Sequence, residues 1–464
     1  MSELGAWTRG FRLDKGVSRF VCVSAPSSSG GKSVISMKSP NGLCSSPTAS
    51  RRPLDGVRVI DMSSVLMGPY ATQILGDYGA DVVKVEPPSG DVMRLAGPMR
   101  TQGMGSLFLA VNRNKRSLVL DIKKSAGRAL LLRLCATADI FVHNVRPAAM
   151  QRLDLGEEVL RAHNRRLVYV SLVGYGQRGP YAERPAYDDL IQGATGIASL
   201  FAESGERRYV PLTVADRIVG LNAVHAILAA LIDRDRAGEG QSIEVPMFET
   251  MAQFVLSDHL GGRTFEPPLG PPGYSRLLAH DRRPYRTSDG YVCVLVYNDK
   301  QWQSLFEAIG RFEEFRADPR LSDHATRARH YPYVYGVLAE TLKTRSTAAW
   351  LALFQANDIP CTPLNDLDAL IDDPHLAAVG CFTRIDHPSE GTITQTAPVG
   401  SWSRNGPGVD RLAPRLGEHS VEVLREAGLD QDEIGRLAAQ EVILDGQSMA
   451  VSAEMPLGAD KPAL

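Results

Sequence analysis

Asp216 stands in Thr213-Val214-Ala215-Asp216, just before a long apolar segment over residues 218–232, so its carboxylate falls in the first turn of a predicted helix. By position alone such an aspartate is a cap. The helix dipole and the free N–H groups of that turn would favour its ionised form, the form a carboxylate nucleophile requires. Upstream lies a glycine-punctuated stretch, Gly174-Tyr175-Gly176-Gln177-Arg178-Gly179-Pro180, leading to Tyr187-Asp188. Its glycines would let the backbone turn tightly after the apolar run 167–172 and lie close to a ligand. Competing candidates are poorer. Ser63-Ser64 has no GxSxG elbow around it. His143 and His225 sit within apolar segments and read as core or supporting groups, and His259, His280 and His330 have no partners at metal-ligand spacing.

The elements that must position these groups follow from the hydrophobic pattern. From Pro53 onward short apolar runs at 57–61, 81–86, 139–144 and 167–172 alternate with helical segments, one reaching Tyr78 after a turn at Gly68-Pro69, another over 125–136. That alternation predicts an α/β fold with a parallel sheet covered on both faces. Ligands then bind in the loops after the strands, where strand order reverses, which singles out residues 63–68, 87–90, 144–147 and 174–180. The first of these loops has no GxGxxG, which argues against an ordinary nicotinamide-dependent dehydrogenase. Helices over 216–234 and 247–260 follow, separated by Gly238-Glu239-Gly240 and a short apolar run at 242–245. Residues 53–260 thus make the first part of a large domain, and the proline- and glycine-rich stretch 261–275 a linker. A smaller mixed α/β domain over 276–378 opens with a strand pair at 285–296 turning at Asp289-Gly290, with helices over 299–311 and 335–357. Strand-like and loop segments occupy 379–445 with a last helix near 418–427, and 446–464 is a polar tail.

The chain has 464 residues, 44% of them hydrophobic, enough for one large or two medium domains with real cores. A formal charge of -2, from 51 basic and 53 acidic residues, gives no global field for nucleic acid or an anionic membrane, so any anionic ligand must be held by local groups. The six cysteines include no CxxC pair and are too sparse for a disulfide scaffold, which fits a reducing, cytoplasmic setting. No apolar run is expected to be long enough to span a bilayer. Residues 1–52 read as a flexible extension rich in serine, glycine and lysine. Arg9, Arg12 and Arg19 suit a mitochondrial transit peptide, whereas Glu3 and Asp14 count against one, and a misassigned start codon explains the segment equally well.

Several motifs in order carry a resemblance. Pro53-Leu54-Asp55-Gly56-Val57-Arg58-Val59-Ile60-Asp61, Gly68-Pro69 and Leu75-Gly76-Asp77-Tyr78-Gly79-Ala80-Asp81 come first. Asn112-Arg113-Asn114-Lys115-Arg116-Ser117, the 174–180 loop, Gly238-Glu239-Gly240-Gln241 and Leu416-Gly417-Glu418-His419 follow. Together they resemble the family III CoA-transferases, also called the CaiB/BaiF family, from about residue 53 to 442. The resemblance implies a Rossmann-like large domain built from both chain halves, with 379–445 returning to it, and a homodimer of interlocked protomers. It implies CoA transfer from an acyl-CoA donor to a carboxylic acid acceptor, with the CoA thioester as substrate and no bound metal or cofactor. Asp216 matches the family's nucleophile, with Tyr187 and Asp188 in support; the CoA contacts match Val65, Met67, Ile122, Lys123, Asn144, Val145 and Arg152. Lys123 and Arg152 would supply charge for phosphates. Where many relatives carry an arginine this chain has Pro87, and Arg94 is the candidate substitute.

Two alternatives remain open. The α-methylacyl-CoA racemases of the same family use a histidine before the aspartate and a later glutamate, and Glu249 matches the latter. Tyr187 stands in the histidine's place, and tyrosine, with an ordinary pKa of about 10, is a poor base at neutral pH. A non-catalytic CoA-binding protein would need an unreactive Asp216. The acceptor acid is not specified, although Arg276, Arg282 and Arg283 could face a dicarboxylate's second charge.

Overall fold

β-branched and leucine-rich runs form the strands of a mixed α/β fold: β1 (Arg58–Met62), β2 (Asp81–Glu86), β3 (Lys115–Leu120), β4 (Ile140–His143), β5 (Val168–Val173) and β6 (Ser242–Pro246). The computed structural model describes residues 51–202 and 205–446. Most of the expected N-terminal extension and C-terminal tail therefore lie outside the described residues. The six strands are all parallel in the order 3-2-1-4-5-6, that of doubly wound dinucleotide-binding folds, with the reversal between β1 and β4.

The connections are helical. They are α1 (Met67–Asp77), α2 (Ser106–Val111), α3 (Ser125–Cys135), α4 (Pro147–Arg152), α5 (Glu157–His163), α6 (Asp188–Ala194), α7 (Val214–Ala237) and α8 (Met247–His259). Alternate strand residues feed two cores. Val59, Val82, Val142 and Val170 pack with residues of α1, α7 and α8, while Ile60, Val83, Phe141 and Tyr169 pack with α3, α5 and the C-terminal segment. Burial on both faces explains why the strands are largely apolar, with buried charges such as Asp61, Lys84 and Lys115 held in ion pairs.

Gly68-Pro69 does not form a turn ahead of α1 but lies in its first turn, where a proline's missing N–H is not needed. α7 is long and apolar enough to cross a membrane by length and composition, contrary to the sequence expectation. It packs against α1, α6 and α8 over the sheet as a core helix. Its outward residues Leu221 and Ile232 stay exposed, and His225, expected in the core, faces outward as well.

Beyond α8, β7 (Tyr285–Arg286), β8 (Tyr291–Val294) and β9 (Cys361–Pro363) form an antiparallel sheet. It belongs to a separate core containing Trp302, Leu338, Trp350 and Phe354. The helix expected over 335–357 is two, Tyr331–Leu342 and Thr347–Ala356, because Ser346 caps the second. β10 (Phe382–His387) and β11 (Gly391–Thr396) make a hairpin. The chain then returns to the first sheet: Asn114 N–H donates to the Arg411 carbonyl at 2.8 Å and His419 N–H to the Ser117 carbonyl at 3.0 Å. The helix near 418–427 spans Ser420–Glu426. The sequence reading missed a further helix, Gln431–Ala439, and β12 (Ile443–Leu444), which lies antiparallel to β3. The capping box of Asp430 and Glu433 was the available signal.

Candidate active site

The loops after β1 and β4 meet at the strand-order reversal. Asn144, just past β4, clamps Ser64, just past β1: its Oδ1 accepts the Ser64 N–H at 3.0 Å and its Nδ2 donates to the Ser64 carbonyl at 2.8 Å. Next to Ser64, Val65 sits at φ 70°. A β-branched residue in that region carries strain on the order of 1–3 kcal/mol, a feature that concentrates at ligand sites. His143 is fully buried, which lowers its pKa to about 4 against the opposing effect of its bond to Val145. The neutral ring pairs through Nδ1 with the Val145 carbonyl at 3.1 Å, which holds the start of the β4–α4 loop.

α7 brings Asp216 to this loop cluster. Gly220 lies one turn beyond Asp216 on the same helix face, and a Cβ there would come within 2.8 Å of the Met67 carbonyl oxygen. The missing side chain therefore lets the start of α1 approach the start of α7. Asp216 is not the cap of α7, as its position suggested. It is the third helical residue, and its own N–H donates to Asp188 Oδ1 at 2.9 Å. Asp188 Oδ2 accepts from Gln192 Nε2 at 2.7 Å. The carboxylate that caps the helix is thus supplied by α6.

This arrangement reverses the expected electrostatics. Burial, together with the negative charge of Asp188, raises the pKa of Asp216 to about 6; Arg217 opposes them. Desolvation outweighs the helix N-terminus. A carboxylate with that pKa is still mostly ionised at neutral pH, and it is more basic than an ordinary one.

A cleft of about 270 Å³ gathers Val65, Met67, Asn144, Val145, Tyr187, Asp188 and Asp216, seven of the residues singled out from sequence. Ile122, Lys123 and Arg152 do not line it, and neither does Glu249. Lys123 and Arg152 are exposed. Glu249 Oε1 instead accepts the Gly176 N–H at 2.9 Å, which pins the glycine loop. None of Gly174, Gly176 and Gly179 has positive φ, so they supply space and not a special turn. A Cβ on Gly174 would overlap that of Ala186, and one on Gly176 would press on Glu249. Arg94 cannot replace the absent arginine at Pro87. It is buried in a two-point ion pair with Glu86, each bond 2.7 Å, and lies over the Phe108 ring.

The cleft's positive charge comes from Arg146, inside the loop 144–147 singled out from sequence though not itself named, and Arg184, which was not singled out. Arg146 lies one residue beyond Val145 at the N-cap of α4; Arg184 stacks 3.7 Å from the centre of the Tyr181 ring. Among the described residues, no histidine, lysine or cysteine lines the cleft.

A carboxylate between two α/β loops and an arginine-flanked cleft suits acyl transfer to or from a thioester. The profile of CoA-transferase family III matches residues 54–420. The chain belongs to that family. It is 33% identical over 435 residues to an acyl-CoA transferase of Fusarium pseudograminearum, covering 90% of this chain and 94% of the relative. It is 35% identical over 395 residues to the succinate–glutarate CoA-transferase of Agrobacterium fabrum, covering 81% and 95%. A crystal structure of a CaiB/BaiF family protein from Brucella suis superposes with a TM-score of 0.69 at 32% identity, covering 81% of this chain and all of that one. The expected enzyme class and fold are borne out: this is an α/β CoA-transferase. In this family III enzyme the cleft forms where a doubly wound sheet binds its ligands, so fold and family direct attention to the same residues.

Proposed function

We propose that the enzyme moves CoA from an acyl-CoA thioester to a free carboxylic acid through covalent intermediates on Asp216. The Asp216 carboxylate attacks the thioester carbonyl, the C–S bond breaks, and an aspartyl mixed anhydride and CoA thiolate result. The thiolate attacks the aspartyl carbonyl and expels the donor acid as its carboxylate, leaving an aspartyl-CoA thioester. The acceptor carboxylate attacks that thioester to give a second anhydride, and the returning thiolate attacks its acceptor acyl carbon to release the new acyl-CoA and free Asp216. Every step exchanges one acyl bond for another, so the energy of the thioester is conserved.

The observation that carries this reading is the raised pKa of Asp216 in the cleft at the strand-order reversal. Asp188 fixes its backbone without bonding to its carboxylate, and Arg146 and Arg184 add positive charge along the path of anionic substrates. That no histidine among the described residues lines the cleft, and that Glu249 engages Gly176, favour transfer over α-proton exchange. The succinate–glutarate enzyme among the relatives points to short dicarboxylic acids as donor and acceptor. We assign the active form to an interlocked homodimer. Leu212, Leu269, Leu367 and Val399, each at least 70% exposed in the single chain, are apolar residues for such a partner to cover.

Incubation with succinyl-CoA should leave a hydroxylamine-sensitive adduct on the peptide containing Asp216, and Asp216→Ala should remove both adduct and turnover. Near-normal transfer by that variant would exclude Asp216 as the nucleophile. Mass analysis of acyl-CoA and free-acid pairs tests the substrate class.

A further inference from the structure

The turn between β1 and α1 is held more tightly than its length explains. Val65 occupies a conformation that β-branched residues avoid. Five consecutive backbone groups there are met by side chains of β1, β2 and the loops after β2 and β4. Ser63 N–H donates to Asp61 Oδ1 at 3.0 Å, and the Ser63 carbonyl accepts from Lys84 Nζ at 3.0 Å. Asn144 takes both polar groups of Ser64, and Val65 N–H donates to Asp91 Oδ1 at 3.2 Å.

Lys84 and Asp91 are themselves an ion pair at 2.9 Å, with side chains 0% and 1% exposed. Lys115 and Asp61 form a second fully buried pair at 3.0 Å. Although burial works against its charge, the carboxylates of Asp61, Asp91 and Glu86 hold the Lys84 pKa above its ordinary value. Buried pairs contribute little net stability, because desolvation offsets their attraction, and apolar residues of similar volume would serve a core as well. Apolar residues could not, however, offer directional bonds to a turn. Lys84 gives its ammonium to the Ser63 carbonyl, and Asp91 accepts the N–H groups of Val65 and Met93.

We propose that Lys84 and Asp91 are positioning residues for acyl-CoA binding: their buried pair holds Val65 in its left-handed conformation and so fixes one wall of the cleft that contains Asp216. The proposal rests on the reading of that cleft as the acyl-CoA site. Neither residue lines the cleft, so their effect passes through Ser63 and Val65.

The test is CoA binding by calorimetry to the full chain carrying Lys84→Met and Asp91→Ala together, which leaves no orphaned buried charge. Affinity of the folded protein should fall about tenfold, the equivalent of about 1.4 kcal/mol. The KM for succinyl-CoA should rise by a similar factor. Adding Val65→Gly should restore part of that affinity, because glycine adopts positive φ without penalty. A pair serving only the core would lower Tm, leave affinity unchanged, and make Val65→Gly a further loss; either of the last two results overturns the proposal. Should this double variant not accumulate, Lys84→Met with Asp91→Asn retains an oxygen for the Val65 N–H, and the same weakening and rescue are expected on a smaller scale. Wild-type protein that binds no CoA would overturn the acyl-CoA reading and this proposal with it. Equal binding by wild type and double variant would overturn this proposal alone.

Discussion

Replacing Asp188 with asparagine tests the electrostatics of the site most directly. Asp216 has a pKa of about 6 in the folded protein against an ordinary value of 3.8. Its ionised and neutral forms therefore stand at about ten to one at pH 7 and about one to ten at pH 5. If the ionised form is the nucleophile, kcat/KM for succinyl-CoA should fall about tenfold between those values, on an acid limb centred near 6. Burial is the larger cause of the shift and the Asp188 charge the second. Asp188→Asn should accordingly move the limb toward lower pH without reaching the ordinary aspartate value. The amide oxygen can still accept the Asp216 N–H, but its nitrogen would face Gln192 Nε2, a mismatch costing about 1–3 kcal/mol, so folding is checked by Tm. The 3′-phosphate of CoA also titrates at a pH of about 6. The substrate is identical for both enzymes, so only a protein group can account for a limb that moves between them. An acid limb unmoved in the variant, or moved upward, would refute the assignment of Asp188 as a source of the raised pKa. A wild-type profile flat down to pH 5 would refute the ionisation argument as a whole.

Linkage gives the same shift a second consequence. Between about 3.8 and 6 the folded state holds a proton on Asp216 that the unfolded state has released, so folding is progressively disfavoured as pH rises through that window, and the full cost persists above it. That cost is on the order of 3 kcal/mol. In thermal melts, Asp216→Asn should therefore be more stable than wild type at pH 7 and no more stable below pH 4, while transferring no CoA. Equal melting at pH 7 would mean that the folded protein does not disfavour the charge.

Gly220→Ala should lower Tm and reduce kcat/KM about tenfold, since its Cβ would push the Met67 carbonyl away and separate α1 from α7; core overpacking of this kind costs about 1–3 kcal/mol. Unchanged kinetics with intact folding would show that the α1–α7 approach does not position Asp216. For assembly, differently tagged preparations mixed at native temperature should form no mixed dimers, because interlocked chains cannot separate without unfolding. Rapid appearance of mixed dimers would remove the interlocked arrangement.

Which features were legible in the sequence depended on how local their causes are. Most of the strands were visible because both faces of a parallel sheet are buried, which leaves largely apolar runs such as Val168–Val173, broken only by Ser171. Val65, Met67, Asn144 and Val145 could be placed at one site because each lies at the end of such a run, and Tyr187, Asp188 and Asp216 because they follow the glycine loop. Lys123 and Arg152 were named because they match the family's CoA contacts, but the direction a side chain takes from its element is not local information, and neither lines the cleft. Arg146, one residue past Val145, is the charged residue that lines the cleft on that loop.

The electrostatics of Asp216 failed for a related reason. A helix N-terminus can be read from neighbouring residues, and it predicts a stabilised anion. The burial of that helix start and the carboxylate of Asp188 come from a fold that brings together residues 28 positions apart, and they act in the opposite direction. Because desolvation is the largest cause of the shift, the tertiary contribution decides the sign. The sequence can thus locate a carboxylate at a helix start, whereas its basicity at neutral pH is a property of the folded cleft.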